Sequence, residues 1–336
     1  MGIKAHIRET LNFGFKRFGH TIVDERILYD WQKASFRQQA GYRPSGLPEG
    51  AAGYLVPTNP RLVELRRRYA AFDANVTTPL VWTETLVDAG DMQYFRGDNA
   101  YVWQVRERGM NIMAYALTAY YMQSIDALGL LEKLDEDDYF GVHNFEVGGR
   151  LVSRDLLDSV AEIYFLEKHL RISSKPGFSV LDIGAGYGRL AHRMTGALPN
   201  VSRYLCTDAF PVSTFISEYY LRFRGIEHKA RAVPLDEIEQ ALSAEPVDIA
   251  VNIHSFSECK ASAIEWWVAL LEKHQVKYLM IVPNTGDALR THEGVDFGTI
   301  VQSHGYRLKA MDPKYRDPVL QQCAINPSYY FLFERC

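Results

Sequence analysis

The pattern of apolar and polar positions changes character near residue 175. Before it, apolar side chains recur at three- and four-residue spacing. Leu62, Leu65, Tyr69 and Phe72 form one stripe and Met110, Met113, Leu117 and Tyr120 a second. Leu156, Leu157, Val160, Ile163 and Tyr164 form a third that starts near Ser153. This is the helical period, so each stripe predicts a helix with one face against a core. Between them, PSGLPEGAAGYLVPTNP (44–60) carries four prolines and three glycines, a density that predicts a loop or linker. Residues 1–43 interleave Phe13, Phe15, Phe18, Tyr29, Trp31 and Phe36 with eight Lys and Arg against four acids. Such interleaving also occurs on nucleic-acid surfaces. The simpler expectation is an amphipathic helix with its aromatics turned inward.

After Lys175-Pro176-Gly177, short β-branched or apolar runs alternate with helical stretches. The runs are FSVLDI (178–183), RYLCTD (203–208), HKARAV (228–233), VDIAVNI (247–253), KYLMIV (277–282), YRLKAM (306–311) and YYFLFE (329–334). Alternation of this kind predicts an α/β fold with a mostly parallel sheet covered on both faces. The last two runs follow one another without a clear intervening helix, which fits an antiparallel closing pair. The expected organisation is a mainly helical region over 1–150 and a Rossmann-like domain over 151–336.

Composition narrows the function classes. Of 336 residues, 47% are apolar and 23% charged, the balance of a globular chain. Lys and Arg number 37 against 41 Asp and Glu, a net charge of −4, which gives no global attraction to nucleic acid or an anionic membrane. Cys206, Cys259, Cys323 and Cys336 show neither CxxC spacing nor pairing with histidine, so they read as thiols in a reducing compartment. No apolar run approaches the roughly 18 residues of a membrane span. The first residues lack a secretory h-region, His6 stands where myristoylation needs Ser or Thr, and Cys336 as the final residue makes no prenylation box. A cytoplasmic protein is expected; nothing in the pattern decides between a monomer and a homo-oligomer.

The most informative stretch is Asp182-Ile183-Gly184-Ala185-Gly186-Tyr187-Gly188-Arg189, where a buried run meets alternating glycines and then a helical pattern. Glycines there let the backbone turn tightly and approach a ligand at the carboxyl edge of a sheet. The spacing is GxGxG, not the GxGxxG of dinucleotide enzymes, and no GK[ST] follows. Asp182 would repel a pyrophosphate and suit a cationic ligand. Asp208, twenty residues beyond Gly188, ends the next strand, where a carboxylate accepts ribose hydroxyls. A ribose ligand with a positive, phosphate-free end is S-adenosylmethionine.

Asp182-x-Gly184-x-Gly186-x-Gly188 with the strand-terminal Asp208 resembles the class I S-adenosylmethionine-dependent methyltransferase signature. The resemblance implies that Gly184, Ala185 and Gly186 line the methionine end, that Asp208 holds the ribose, and that Ala209 and Phe210 pack beside the adenosine. It places Val233 at the adenine edge. It also turns the end of the fourth strand, with Asn252 and Ile253, toward the reactive methyl. There, His254 is the expected general base for an alcohol, because imidazole is neutral at pH 7. Glu258 either orients that histidine, binds an acceptor hydroxyl, or closes a capping box with Ser255. Arg154, Ser255, Asn284 and His292 are candidate acceptor contacts. Asp208, His254 and Glu258 include oxygen and nitrogen donors for a Mg²⁺ ion, but no further carboxylate run builds a hard-cation cage, and no metal is expected.

Asn144-Phe145-Glu146-Val147-Gly148, Arg150 to Asp155, LDIGAGYGRLAHR, Cys206 to Pro211 and NIHSFSE together resemble the bacterial sugar O-methyltransferase family over residues 140–336. Cys259 departs from that pattern, where methionine is expected. The resemblance implies methyl transfer to a hydroxyl of a sugar or glycosylated metabolite, beneath an N-terminal helical cap. A phenolic or polyketide acceptor, and a non-catalytic binding protein that retains the fold, are the alternatives.

Overall fold

The computed structural model describes residues 3–20, 22–27, 29, 46–83, 85–102, 112–284 and 286–336. Trp31, Phe36 and Met110 of the apolar patterns lie outside these. Among its described residues the N-terminal region holds helices α1 (Ile3–Lys16), α2 (Pro60–Ala70) and α3 (Ile112–Ile125), together with single helical turns. It ends not in helix but in a hairpin, β1 (Phe145–Val147) with β2 (Arg150–Val152), whose tight turn uses Gly148 and Gly149 at positive φ. The described residues of the helical stripes lie on helices as expected, except Phe72, which follows the end of α2. Leu62, Leu65 and Tyr69 are buried on α2, and helix α4 (Arg154–Leu170) starts at Ser153, whose hydroxyl accepts the Leu156 N–H at 3.1 Å. Helix α1 does not turn its aromatics inward: Phe13 and Phe15, like Phe18 just beyond its end, are exposed, because among the described residues no element packs over them.

The second half alternates as the sequence predicts, except that a short helix, Pro318–Cys323, capped by the Asp317 side chain, stands between the last two strands. It runs β3 (Phe178–Ile183), α5 (Arg189–Ala197), β4 (Val201–Thr207), α6 (Pro211–Phe223), β5 (Ala230–Ala232), α7 (Ile238–Ala244) and β6 (Ile249–Ile253). Then come α8 (Ala261–Lys273), β7 (Tyr278–Val282), α9 (Phe297–Ser303), β8 (Tyr306–Pro313) and β9 (Tyr329–Arg335). The seven strands lie in the order β5-β4-β3-β6-β7-β9-β8, all parallel except β9, which is antiparallel to both neighbours. This is the expected Rossmann-like α/β fold. All six residues of β3 are buried, as the central strand of a doubly covered sheet requires.

The chain leaves β3 toward β4 and β5 and returns to β6 on the other side. Connections therefore diverge between β3 and β6, opening a crevice at their carboxyl ends. The N-terminal region closes over it. Helix α2 packs on α6, where Arg61 donates to Glu218 at 2.9 Å, and its Arg68 donates to Asp236 in the turn before α7 at 2.8 Å. Buried Arg96 donates to Glu136, Asp137 and Asp155 at 2.5, 2.7 and 2.8 Å, and Arg193 also donates to Glu136. Both hydrophobic clusters of the core draw on residues from each side of position 150.

Candidate functional site

A cavity of about 820 Å³ fills the crevice. Its floor is the turn after β3. Gly184, Gly186 and Gly188 all have positive φ, a conformation that costs an L-residue about 1–2 kcal/mol. At Gly184 a second constraint acts. A Cβ there would stand 2.1 Å from Ser255 Oγ, because the turns after the neighbouring strands β3 and β6 nearly touch. Asn252 holds this junction: its Nδ2 donates to Ile183 O and Ser255 Oγ at 2.9 and 2.5 Å, and its Oδ1 accepts the Phe256 N–H at 3.0 Å.

Asp208 follows β4. Its carboxylate accepts the Gly186 N–H at 3.1 Å and the Phe210 N–H at 2.8 Å, so it is bound to the glycine turn itself. Burial pushes its carboxyl up to about 7, against the opposing pull of these two donors. Asp182 is buried on β3 and accepts the Tyr204 hydroxyl at 2.9 Å; burial pushes it up to about 7 as well.

His254 caps β6 at φ +70°, an unusual conformation for a non-glycine residue, held by its N–H to Val282 O at 2.7 Å. Burial, then the positive charge of Arg154, lowers its imidazole to about 4, so the ring is neutral at pH 7. Its Nδ1 is buried with no hydrogen-bond partner. Glu258 does not orient it. The Glu258 oxygens accept instead from Trp82 Nε1 at 2.5 Å and Asn284 Nδ2 at 2.7 Å. Nor does a capping box form: Ser255–Glu258 is a 3₁₀ turn with no side-chain cap, since the Ser255 hydroxyl is spent at the β3–β6 junction.

The cavity brings together Asp182, Gly184, Ala185, Gly186, Asp208, Ala209, Phe210 and Ile253 on the cofactor side of the expectation. It joins them to His254, Ser255, Glu258, Arg154, Asn284 and His292 from the acceptor side. It leaves out three expected residues. Asn252 is fully buried behind the turn as its brace, Gly188 starts α5 against Ser217, and Val233 is buried beyond β5, donating its N–H to Cys206 O at 2.7 Å. Among the described residues no three His, Cys, Asp or Glu side chains are grouped as a metal site would need. No helix among them is long and apolar enough to cross a membrane.

The roof is what the sequence pattern misses. Trp82 lies 5.0 Å from Tyr101 and 5.8 Å from Phe210 between ring centroids, and Tyr101 approaches Gly186 and bonds Ser213 at 3.2 Å. Both roof residues sit in loops, where no periodicity marks them. The turn residues Asn99 and Gly97 nearby are the only local signal.

No protein-family model matches this chain, and no curated protein does. Among solved structures, it is similar to Streptococcus pneumoniae Sp1610, proposed as a tRNA (m1A22) methyltransferase, at 11% identity and TM-score 0.36 over 52% of this chain and 69% of that one. It is similar to magnesium protoporphyrin IX methyltransferase (ChlM) from Synechocystis PCC 6803 with bound S-adenosylmethionine, at 12% identity and TM-score 0.39 over 55% and 83%. A third is the [4+2]-cyclase SpnF, at 15% identity and TM-score 0.37 over 66% and 95%.

Proposed function

We propose that this protein is an S-adenosylmethionine-dependent O-methyltransferase acting on a hydroxyl of a sugar or glycosylated metabolite, with His254 as general base. The observation that carries this reading is the meeting of the glycine turn, Asp208 and His254 in one cavity at the β3–β6 switch point. Three features suit such a nucleoside. The glycine turn, with Gly184 and Gly186 at positive φ, brings bare backbone to the cavity floor. A carboxylate offers about four acceptor positions, so Asp208 keeps capacity for ribose hydroxyls beyond its backbone donors. Asp182, on the cavity wall, gives a cationic group a partner. S-adenosylmethionine supplies a methyl group made electrophilic by its sulfonium.

The chain's own residues do the rest. His254, neutral at pH 7, accepts the proton of the acceptor hydroxyl as that oxygen gains its methyl. Glu258, with one oxygen held by Trp82 and the other by Asn284, offers a fixed carboxylate to a further acceptor hydroxyl. The roof of Trp82 and Tyr101 excludes water and holds the acceptor in line, which supplies much of the acceleration in such transfers. The same aromatic roof favours a second reading, a phenolic or polyketide acceptor.

Radiolabelled methyl transfer to nucleotide sugars, glycosylated metabolites, phenols and tRNA decides among acceptors. Calorimetry tests the nucleoside: S-adenosylhomocysteine binds wild type and binds Asp208→Asn about tenfold or more weakly, a lost charge-assisted contact. His254→Ala lowers transfer by about 10²–10⁴. Absence of any heat with either nucleoside overturns the proposal.

A further inference from the structure

Tyr69, Val76, Trp82 and Tyr101 of the N-terminal region wall the same cavity as the glycine turn. Two of them converge on Asp208. That carboxylate is fixed from below by the N–H groups of Gly186 and Phe210. The roof stands on those same two residues. Tyr101 packs on Gly186, where an added Cβ would lie 3.5 Å from its Cδ1, and Trp82 lies 5.8 Å from Phe210 between ring centroids. Burial pushes the Tyr101 hydroxyl up, and the charge of Asp208 adds to that rise.

Local structure sets both rings in place. Asn99 Oδ1 accepts the Tyr101 N–H at 2.9 Å while its Nδ2 donates to Tyr94 O at 2.6 Å, a turn that presents the tyrosine ring. The Tyr101 hydroxyl meets Ser213 in the first turn of α6 at 3.2 Å. Trp82 is anchored by its N–H on Glu258 at 2.5 Å and by the Tyr101 ring, 5.0 Å away and tilted by 46°. Around Asp208 the cavity therefore has bare glycine backbone on one side and two aromatic rings on the other. A carboxylate takes a hydroxyl, and an aromatic ring takes a planar base or a cationic sulfonium. A nucleoside carries these features side by side.

We propose, resting on the methyl-transfer reading above, that Trp82 and Tyr101 are nucleoside-binding residues. The N-terminal region supplies the upper half of the nucleoside site, and the nucleoside lies between these two rings and the floor of Gly186 and Asp208. The roof thus closes on the nucleoside as well as on the acceptor, and nucleoside binding slows the opening of the loops that carry it.

The test is calorimetry of the full chain, without acceptor, using S-adenosylhomocysteine and 5′-methylthioadenosine, which lacks the amino-acid end. Trp82→Leu and Tyr101→Leu are each expected to weaken both ligands about tenfold or more, the loss of an aromatic face. Trp82→Phe and Tyr101→Phe keep a ring and are expected to bind within about threefold of wild type. A second measurement needs no variant. Saturating wild type with S-adenosylhomocysteine is expected to slow amide exchange around Trp82 and Tyr101 by about tenfold beyond any slowing in β8, whose residues do not line the cavity. Folded leucine variants that bind both ligands as wild type does overturn the proposal, and so does roof exchange that the ligand leaves unchanged. If the leucine variants do not fold, the exchange measurement decides alone. A loss confined to S-adenosylhomocysteine places the rings at the amino-acid end and also overturns it. If wild type binds neither ligand, the methyl-transfer reading itself fails and this proposal falls with it.

Discussion

Replacing Gly184 with alanine adds one methyl group at the tightest point of the molecule. The new Cβ falls 2.1 Å from Ser255 Oγ and 2.4 Å from Ser255 Cβ, and Gly184 sits at φ +73°. The left-handed backbone alone costs alanine about 1–2 kcal/mol. Ser255 must also move, which breaks its bonds to Asn252 Nδ2 (2.5 Å) and Ile183 O (3.3 Å), each contributing about 0.5–1.5 kcal/mol. The expected loss is about 2–5 kcal/mol of unfolding free energy, read from urea denaturation with an unchanged slope. A second background isolates the collision. In Ser255→Gly protein neither clashing atom exists, so Gly184→Ala should cost only its backbone term, about 1–2 kcal/mol. The difference between the two increments is the coupling of the turns after β3 and β6. Equal increments in both backgrounds, within about 0.5 kcal/mol, would refute the claim that steric exclusion by Ser255 dictates this glycine.

Other outcomes follow from neighbouring features. The Asp182 carboxyl ionises near 7 in the fold and near 4 when unfolded, so the folded state holds the extra proton between those values and this residue makes stability fall as pH rises through them. Asp182→Asn removes that loss, so the variant should gain stability relative to wild type from about pH 4 to about pH 7; a pH-independent difference in urea midpoints sinks the assignment. Arg96→Met takes the cation from buried Asp155 and leaves Glu136 with Arg193 alone, and should cost about 3–5 kcal/mol; a near-neutral effect would mean the network relaxes. Trp82→Phe keeps the ring and removes the N–H to Glu258, and should speed amide hydrogen exchange in the loop around residue 82 by about tenfold; unchanged exchange would show that the stacking alone holds the roof.

The parallel sheet was legible because its strands are buried on both faces and so read as uninterrupted apolar runs. FSVLDI is one such run, and it became β3 with those boundaries. The glycine turn was legible for a different reason: positive φ and close approach leave only glycine, and Gly184 and Gly188 carry both marks. The N-terminal half was less so. Phe145 to Val152 alternates too briefly to separate a hairpin from a helix start, and Trp82 and Tyr101 lie in loops with no period to read. Spacing also misled. Ser255-x-x-Glu258 has capping-box spacing, but Ser255 is claimed by Asn252 and Glu258 by Trp82, both contacts set by tertiary structure. Asn252, expected at the cofactor, works as a brace for the same reason.

The position of β9 bears on how the protein matures. Strand β8 touches the sheet only through β9, which slots between it and β7 with opposite polarity. On the ribosome, β8 therefore emerges with no partner and must wait for some twenty more residues. The residues that immediately precede β9, Asn326 to Ser328, also wall the cavity, so the pocket is completed by the same insertion that seals the sheet's edge.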